Sequence, residues 1–130
     1  MRTLVILAAL IFSTAAADAQ YYSRSKIAAS GKQIKLNFFN STNPDCSSSG
    51  DPTVRVAQDP QHGRITTSAA RDFPNFSQAN VRSVCNTRRV AGRAVHYVSE
   101  RGYVGTDSAL IEIFFTSGHA YRMHYTIQVR

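Results

Sequence analysis

From Ala109 to Val129 the chain keeps a period of two on both sides of a Ser117-Gly118 pair. Before the pair, Ala109, Ile111, Ile113 and Phe115 alternate with Leu110, Glu112, Phe114 and Thr116; after it, Tyr121, Met123, Tyr125, Ile127 and Val129 alternate with Arg122, His124, Thr126, Gln128 and Arg130. Neighbouring side chains on a strand point to opposite faces, so this pattern predicts a hairpin with one buried face. Gly118 makes the reversal cheap, because glycine reaches positive φ without a Cβ clash. An isolated hairpin is marginal in water. The rest of the chain has to supply the strands that cover it.

Those strands are legible in part. Over residues 32–39, Ile34, Leu36 and Phe38 alternate with Lys35 and Asn37, and Phe39 breaks the alternation. Residues 40–52 are dominated by turn formers and read as an exposed loop carrying Cys46. A strand over 53–58 turns Val54 and Val56 inward and Arg55 outward, and Asp59-Pro60 ends it. The following turn, in which Gly63 is where a positive φ would be cheap, leads into a short strand near 64–67. From Ser68 to Arg89 no period holds. Pro74 interrupts the run, Phe73 and Phe76 are set to anchor a loop, and residues 77–85 fit a helical turn or a bent strand. Strand pattern returns over 90–98, with Gly92 marking a bulge or a close backbone approach. Six or seven short strands need two layers to bury their apolar faces, so the expected class is all-β, a single β-sandwich of about seven strands. A small barrel is the alternative.

The N-terminal residues set the compartment. Arg2, an apolar run from Leu4 to Phe12 and the small residues ending at Ala19 have the order of a cleaved secretory signal. The run is less than half of the roughly 20 residues a membrane-crossing helix needs, so no transmembrane segment is expected after cleavage. The expected organisation is a signal peptide at 1–19, a leader at 20–31 and one domain at 32–130, placed in the periplasm or outside the cell. Cys46 and Cys85 are the two cysteines, and an oxidising compartment lets them pair. Closing a loop of about 40 residues is worth roughly 4 kcal/mol by chain entropy. The net charge is +7, and it stays so when the signal is removed, because Arg2 and Asp18 cancel. That balance favours an anionic glycan, a lipid surface or an acidic envelope protein, and export disfavours nucleic acid.

The segment Tyr97 to Ile113, YVSERGYVGTDSALIEI, with Gly118 and the closing strand YRMHYTIQV, resembles the end of the immunoglobulin-like and cadherin-like modules of bacterial secreted and surface proteins. In that resemblance Gly102, Tyr103, Gly105 and Asp107 form the turn between two strands, and Asp59 to Ile65, DPQHGRI, forms an earlier Pro-x-x-Gly turn. The chain departs from it at Val98-Ser99, where the family commonly has Pro, and at Ala109, where it commonly has an aromatic residue. The resemblance implies an immunoglobulin-like sandwich, and it implies little about chemistry, because such modules share a fold and not an activity.

Motifs for chemistry are sparse. The acids are scattered without a calcium-loop spacing, and Asp107 reads as a turn residue that satisfies backbone donors. His62, His96, His119 and His124 lack metal-ligand spacing, and no nucleophile elbow is present. No cofactor, metal or catalytic residue is assigned. Binding has more material: Arg82, Arg88, Arg89 and Arg93 bracket Cys85, and guanidinium forks suit carboxylate or phosphate. Phe39 and Phe114 fall off the core phase; exposed, they would mark an interface or a second buried layer. The chain therefore reads as a non-enzymatic exported module that contacts an envelope component or anionic partner through these residues. The rivals are a small exported enzyme or metal protein built on His62, His96 or His119, and a passive structural domain.

Overall fold

A computed structural model describes residues 19–130; the expected signal, apart from Ala19, lies outside the described residues. The described residues form seven strands and one short 3-10 helix: β1 (Gln20–Ala28), β2 (Gln33–Phe39), β3 (Thr53–Gln58), β4 (Gly63–Asp72), the helix η1 (Val81–Thr87), β5 (Val90–Ser99), β6 (Gly105–Phe114) and β7 (Ala120–Val129). They make two sheets, a four-stranded one in the order β1-β7-β6-β3 and a three-stranded one in the order β2-β5-β4. β1 runs parallel to β7, and the other pairs are antiparallel. The architecture is an all-β sandwich. Among the described residues no helix is long and apolar enough to cross a membrane.

The C-terminal alternation sets the core. Ala109, Ile111 and Ile113 on β6 and Met123, Tyr125, Ile127 and Val129 on β7 are buried, and they meet Leu36, Phe39, Val95 and Tyr97 from the facing sheet. The register Ile113↔Tyr121, Ile111↔Met123 and Ala109↔Tyr125 puts both inward sets side by side. Each fully buried large side chain of this kind stabilises by roughly 1.5–3 kcal/mol. On the opposite face, β6 Glu112 sits beneath Arg55 of β3 and Arg122 of β7 and bonds both. The Arg55 hydrogen bond is the main cause that holds its carboxyl below the usual glutamate range, while burial works against it.

Three expectations need correction, and Gly63 answers to a different constraint from φ. Residues 20–28 are not a leader but a full edge strand. Tyr22, Arg24, Lys26 and Ala28 share register rows with Met123, Tyr125, Ile127 and Val129, and two cations among the inward positions disguise the period. The short strand at 64–67 extends to Asp72, because Thr66 to Ala70 are small or β-branched and pair with β5 without a break. Gly63 does not take positive φ; it is needed because a Cβ there would stand 2.5 Å from the Val98 carbonyl oxygen and 2.6 Å from the Tyr97 ring. Finally, a register shift between Lys35 and Asn37 inserts an extra residue into β2 and reverses the phase beyond it. Phe39 is thereby a core residue, 7% exposed, and not an exposed ring. Phe38 goes to the other face, against Gly92, where a Cβ would come within 2.3 Å of the Phe39 carbonyl oxygen.

Residues 77–85 end in η1, capped by Asn80, whose side chain accepts from the Arg82 backbone N–H. Cys85 of η1 is disulfide-bonded to Cys46, with Cα atoms 5.4 Å apart. This bond ties the 40–52 loop to the segment that connects β4 with β5.

Candidate functional site

The two ends of the sandwich are built differently. At one end, Asp107 is 4% exposed and its carboxylate accepts hydrogen bonds from the backbone N–H groups of Gln61, His62 and Ser108 and from the Tyr97 hydroxyl, at 2.8–3.1 Å. Burial, followed by this bond to Asp107, pushes the Tyr97 phenol far above its ordinary value. The turns at Gly31, His62 and Gly102 are stitched together by Ser30, Ser99 and Glu100, and the His62 ring stacks on Tyr103 at 4.0 Å. Gly102 and Gly105 hold positive φ in this turn. A hollow of about 500 Å³ lies here. It is lined by Gly31, Val98, Ser99 and the charged Arg64, Glu100 and Arg101, and by no aromatic ring.

The other end carries a groove. Two hollows of about 580 and 410 Å³ lie side by side there and share Asn40, Phe76, Phe115 and Tyr121 as lining residues. The groove's floor is a chain of edge-to-face aromatic contacts, Tyr22 on Tyr121 at 5.3 Å, Tyr121 on Phe115 at 5.0 Å and Phe115 on Phe39 at 6.4 Å. Along its walls stand the amides of Asn37, Asn40, Asn43, Asn75 and Asn80. Arg24 enters from β1 and Arg82 from η1, and neither half is lined by an Asp or Glu. The groove is thus aromatic below, amide-rich at the sides and positively charged.

Several contacts fix its parts. Arg82 donates through Nε to the Thr42 carbonyl at 2.6 Å, which orients the guanidinium and leaves its terminal nitrogens without a hydrogen bond among the described residues. Asn86 brackets the Phe76 backbone, accepting from its N–H and donating to its carbonyl, both at 2.9 Å. The Cys46–Cys85 bond locks the loop that holds Asn40 to Asn43 against η1, so the walls need little ordering when a ligand arrives. The Ser41 hydroxyl in this wall is buried and has no hydrogen-bond partner among the described residues. Buried polar groups are ordinarily paired, so hydrogen-bonding capacity is left over here.

The structure does not gather the four arginines around Cys85. Arg82 lines the groove; Arg88 and Arg89 are exposed beyond η1, with the Arg89 guanidinium 5.4 Å above the exposed Phe73 ring; Arg93 lies on β5 and reaches Thr67 at 3.3 Å. Phe114 is exposed and covered in part by Arg55, at 5.8 Å, on the outer face of the four-stranded sheet away from the groove. Gly118 holds positive φ in the β6–β7 turn, where Ser117 and His119 bond each other at the groove's rim. Among the described residues His62, His96, His119 and His124 fall in no group of three or more potential metal ligands. Arg24, Tyr22 and the asparagines escape sequence reasoning: two lie in the segment read as a leader, and the amides sit in loops whose convergence depends on the fold. The faint signal was YYSRSKIA itself, whose period of two is real but carries charge on the inward phase.

No known protein family, no curated protein and no solved structure matches this chain.

Proposed function

We propose that this protein is a non-enzymatic binding module of immunoglobulin-like type, exported to the periplasm or cell exterior, that holds an anionic glycan in the groove at the disulfide-bonded end. The carrying observation is the groove's composition: aromatic rings and asparagine amides beside Arg24 and Arg82, with no acidic side chain in its lining. Aromatic faces suit the C–H faces of sugar rings, amides pair with hydroxyls in both directions, and guanidinium forks take carboxylates or sulfates.

Strand order supports the immunoglobulin-like reading. The three-stranded sheet follows the B-E-D order, and β7-β6-β3 follows G-F-C. Two features depart from the constant-type antibody domain. The first strand joins the sheet of the last by parallel pairing, and the disulfide ties a loop to η1 in place of a bond between the sheets.

The test is calorimetric titration of the oxidised protein with an oligogalacturonate, with a neutral chitin oligosaccharide of equal length as control. The expected result is saturable binding of the acidic oligomer, weaker as salt rises. Arg82→Glu or Arg24→Glu should weaken it about tenfold or more, while Arg88→Glu leaves it unchanged. Equal loss with Arg88→Glu would mean diffuse charge attraction and no groove site. Tight binding of the neutral oligomer would remove the anionic part of the reading.

A further inference from the structure

We propose that two copies of this protein pair through their β4 edges, in an antiparallel register centred on Ser68, joining the three-stranded sheets into one six-stranded sheet. The sandwich has four sheet edges. Unpaired strand edges invite another strand, and proteins ordinarily protect them with charge, bulges or brevity. Three edges here are protected: β1 carries Arg24 and Lys26 among its inward rows, β2 has a register break beside Lys35, and β3 is six residues long with a break between Val56 and Gln58. β4 is neither short nor broken in register, and its charges, Arg64, Arg71 and Asp72, stand near its two ends and leave Ile65 to Ala70 uncharged. It pairs with β5 without a break over ten residues, has no proline, and carries small side chains from Thr66 to Ala70.

The register follows from symmetry and charge. A two-fold axis normal to the sheet keeps each side chain on its own face, so facing residues must have the same parity along β4. Centred on Thr67, Arg64 would face Ala70 of the second copy; centred on Ala69, it would face Pro74. Centred on Ser68, Arg64 of each copy faces Asp72 of the other, twice per dimer. Arg64 is exposed and has no ion-pair partner among the described residues. Asp72 bonds Lys35 and the Phe73 backbone N–H, and a carboxylate has lone pairs for a further donor. The same register lays the Arg71 stem beside Ile65 and pairs Thr66 and Thr67 with Ala70 and Ala69. This contact is separate from the groove, and it stands whether or not the groove binds a glycan.

Sedimentation equilibrium of the oxidised protein over a concentration series tests the pairing, with cross-linking as the register test. The expected result is a monomer–dimer equilibrium that weakens with salt, and Arg64→Asp should raise the dissociation constant roughly tenfold, since it replaces two exposed attractive pairs with repulsive ones. Residues directly opposite have Cβ atoms about 4.5–5.5 Å apart, within reach of a disulfide after small adjustment. Ser68→Cys should therefore form an intermolecular disulfide on oxidation. Thr66→Cys should not, because its two copies would stand roughly 13 Å apart along the strands. Both positions are exposed, so the substitutions leave the fold intact. A monomer at every concentration, no effect of Arg64→Asp, or cross-linking of Thr66→Cys as fast as Ser68→Cys overturns the proposal.

Discussion

Replacing Asp107 should cost this domain more than any other single change of comparable size. Its carboxylate is the common acceptor for three backbone N–H groups and the Tyr97 hydroxyl, and it joins the turn at 59–62 and the end of β5 to the start of β6. In Asp107→Ala, water can reach the part-buried N–H groups of Gln61 and His62, whereas Tyr97, 0% exposed, keeps a stranded donor. A net hydrogen bond to a charged group is worth about 1.5–3 kcal/mol, and a buried donor left unpaired costs about 1–3 kcal/mol. Allowing for relief from desolvating the carboxylate, the loss comes to roughly 3–5 kcal/mol, a third or more of an ordinary domain's stability of about 5–15 kcal/mol. Asp107→Asn keeps one acceptor oxygen for Gln61 and Ser108, and the Tyr97 hydroxyl can turn to accept from the new amide. Its loss should be about 1–2 kcal/mol, mainly the His62 N–H.

Urea unfolding followed by circular dichroism and tyrosine fluorescence measures this directly, since the chain has 6 Tyr and no Trp. With a slope of about 2 kcal/mol/M, Asp107→Ala should lower the midpoint by about 2 M and Asp107→Asn by less than half of that. A loss under about 1 kcal/mol for the alanine variant, or equal losses for both, would refute the assignment of Asp107 as the acceptor that holds this end together.

Reducing the Cys46–Cys85 bond, or replacing both cysteines with serine, should cost about 4 kcal/mol in the same assay, from the 39-residue separation it closes. If the groove binds as proposed, affinity should fall more steeply than stability, because the loop wall then has to be ordered on binding. At high pH, Tyr97 and Tyr125 both resist ionisation in the folded state, burial being the first cause for each. Their contribution is whole below pH 10, the ordinary phenol value, and is lost as pH rises above it, so Tyr97→Phe should flatten the alkaline limb of the stability curve. At low pH the sign reverses for Glu112. Its lowered carboxyl stabilises the fold above its ordinary value of 4.5 and stops doing so as pH falls below it, and Glu112→Gln should remove that slope. Gly92→Ala should destabilise by roughly 1–3 kcal/mol, because its new Cβ meets backbone oxygen and the Phe38 ring with no room to yield.

How much of this was legible in the residues depended on whether period and environment agreed. From Ala109 through β7 they do: each inward position is apolar, each strand is regular, and the register follows from the Ser117-Gly118 reversal. β2 shows how one inserted residue defeats the same reasoning, since the shift at Leu36 exchanges the faces of Phe38 and Phe39 without leaving any sign in composition. β1 fails for the opposite reason. Its period is intact, but Arg24 and Lys26 occupy inward rows near an open edge, where long side chains keep their charged heads in water. The disulfide was readable from cysteine number and the expected export, but its consequence was not. The arginines it was expected to collect belong to three different surfaces, and only Arg82 reaches the groove.

The contrast between the two ends bears on where binding belongs. The Asp107 end is closed by hydrogen bonds between turns whose lengths leave little slack, and a substitution there disturbs the register of β5 and β6 together. At the groove end the connections are longer: 40–52 joins β2 to β3, and 73–89 joins β4 to β5. Long loops without regular structure are costly to order, and ligand sites are carried disproportionately on such loops when a rigid scaffold positions them. Here the Cys46–Cys85 bond connects the two loops to each other, and Arg82 and Asn86 fasten them to Thr42 and Phe76. The staple leaves the aromatic floor and the amide walls in place with no need for the backbone pairing that would fill the groove. The same change that removes it should therefore leave the strands of β6 and β7 folded at low denaturant while the groove loses its shape. Backbone hydrogen exchange on the reduced protein would see this as early loss of protection in residues 40–52 and 77–87 alone, and simultaneous loss throughout would show that the staple supports the whole sandwich equally.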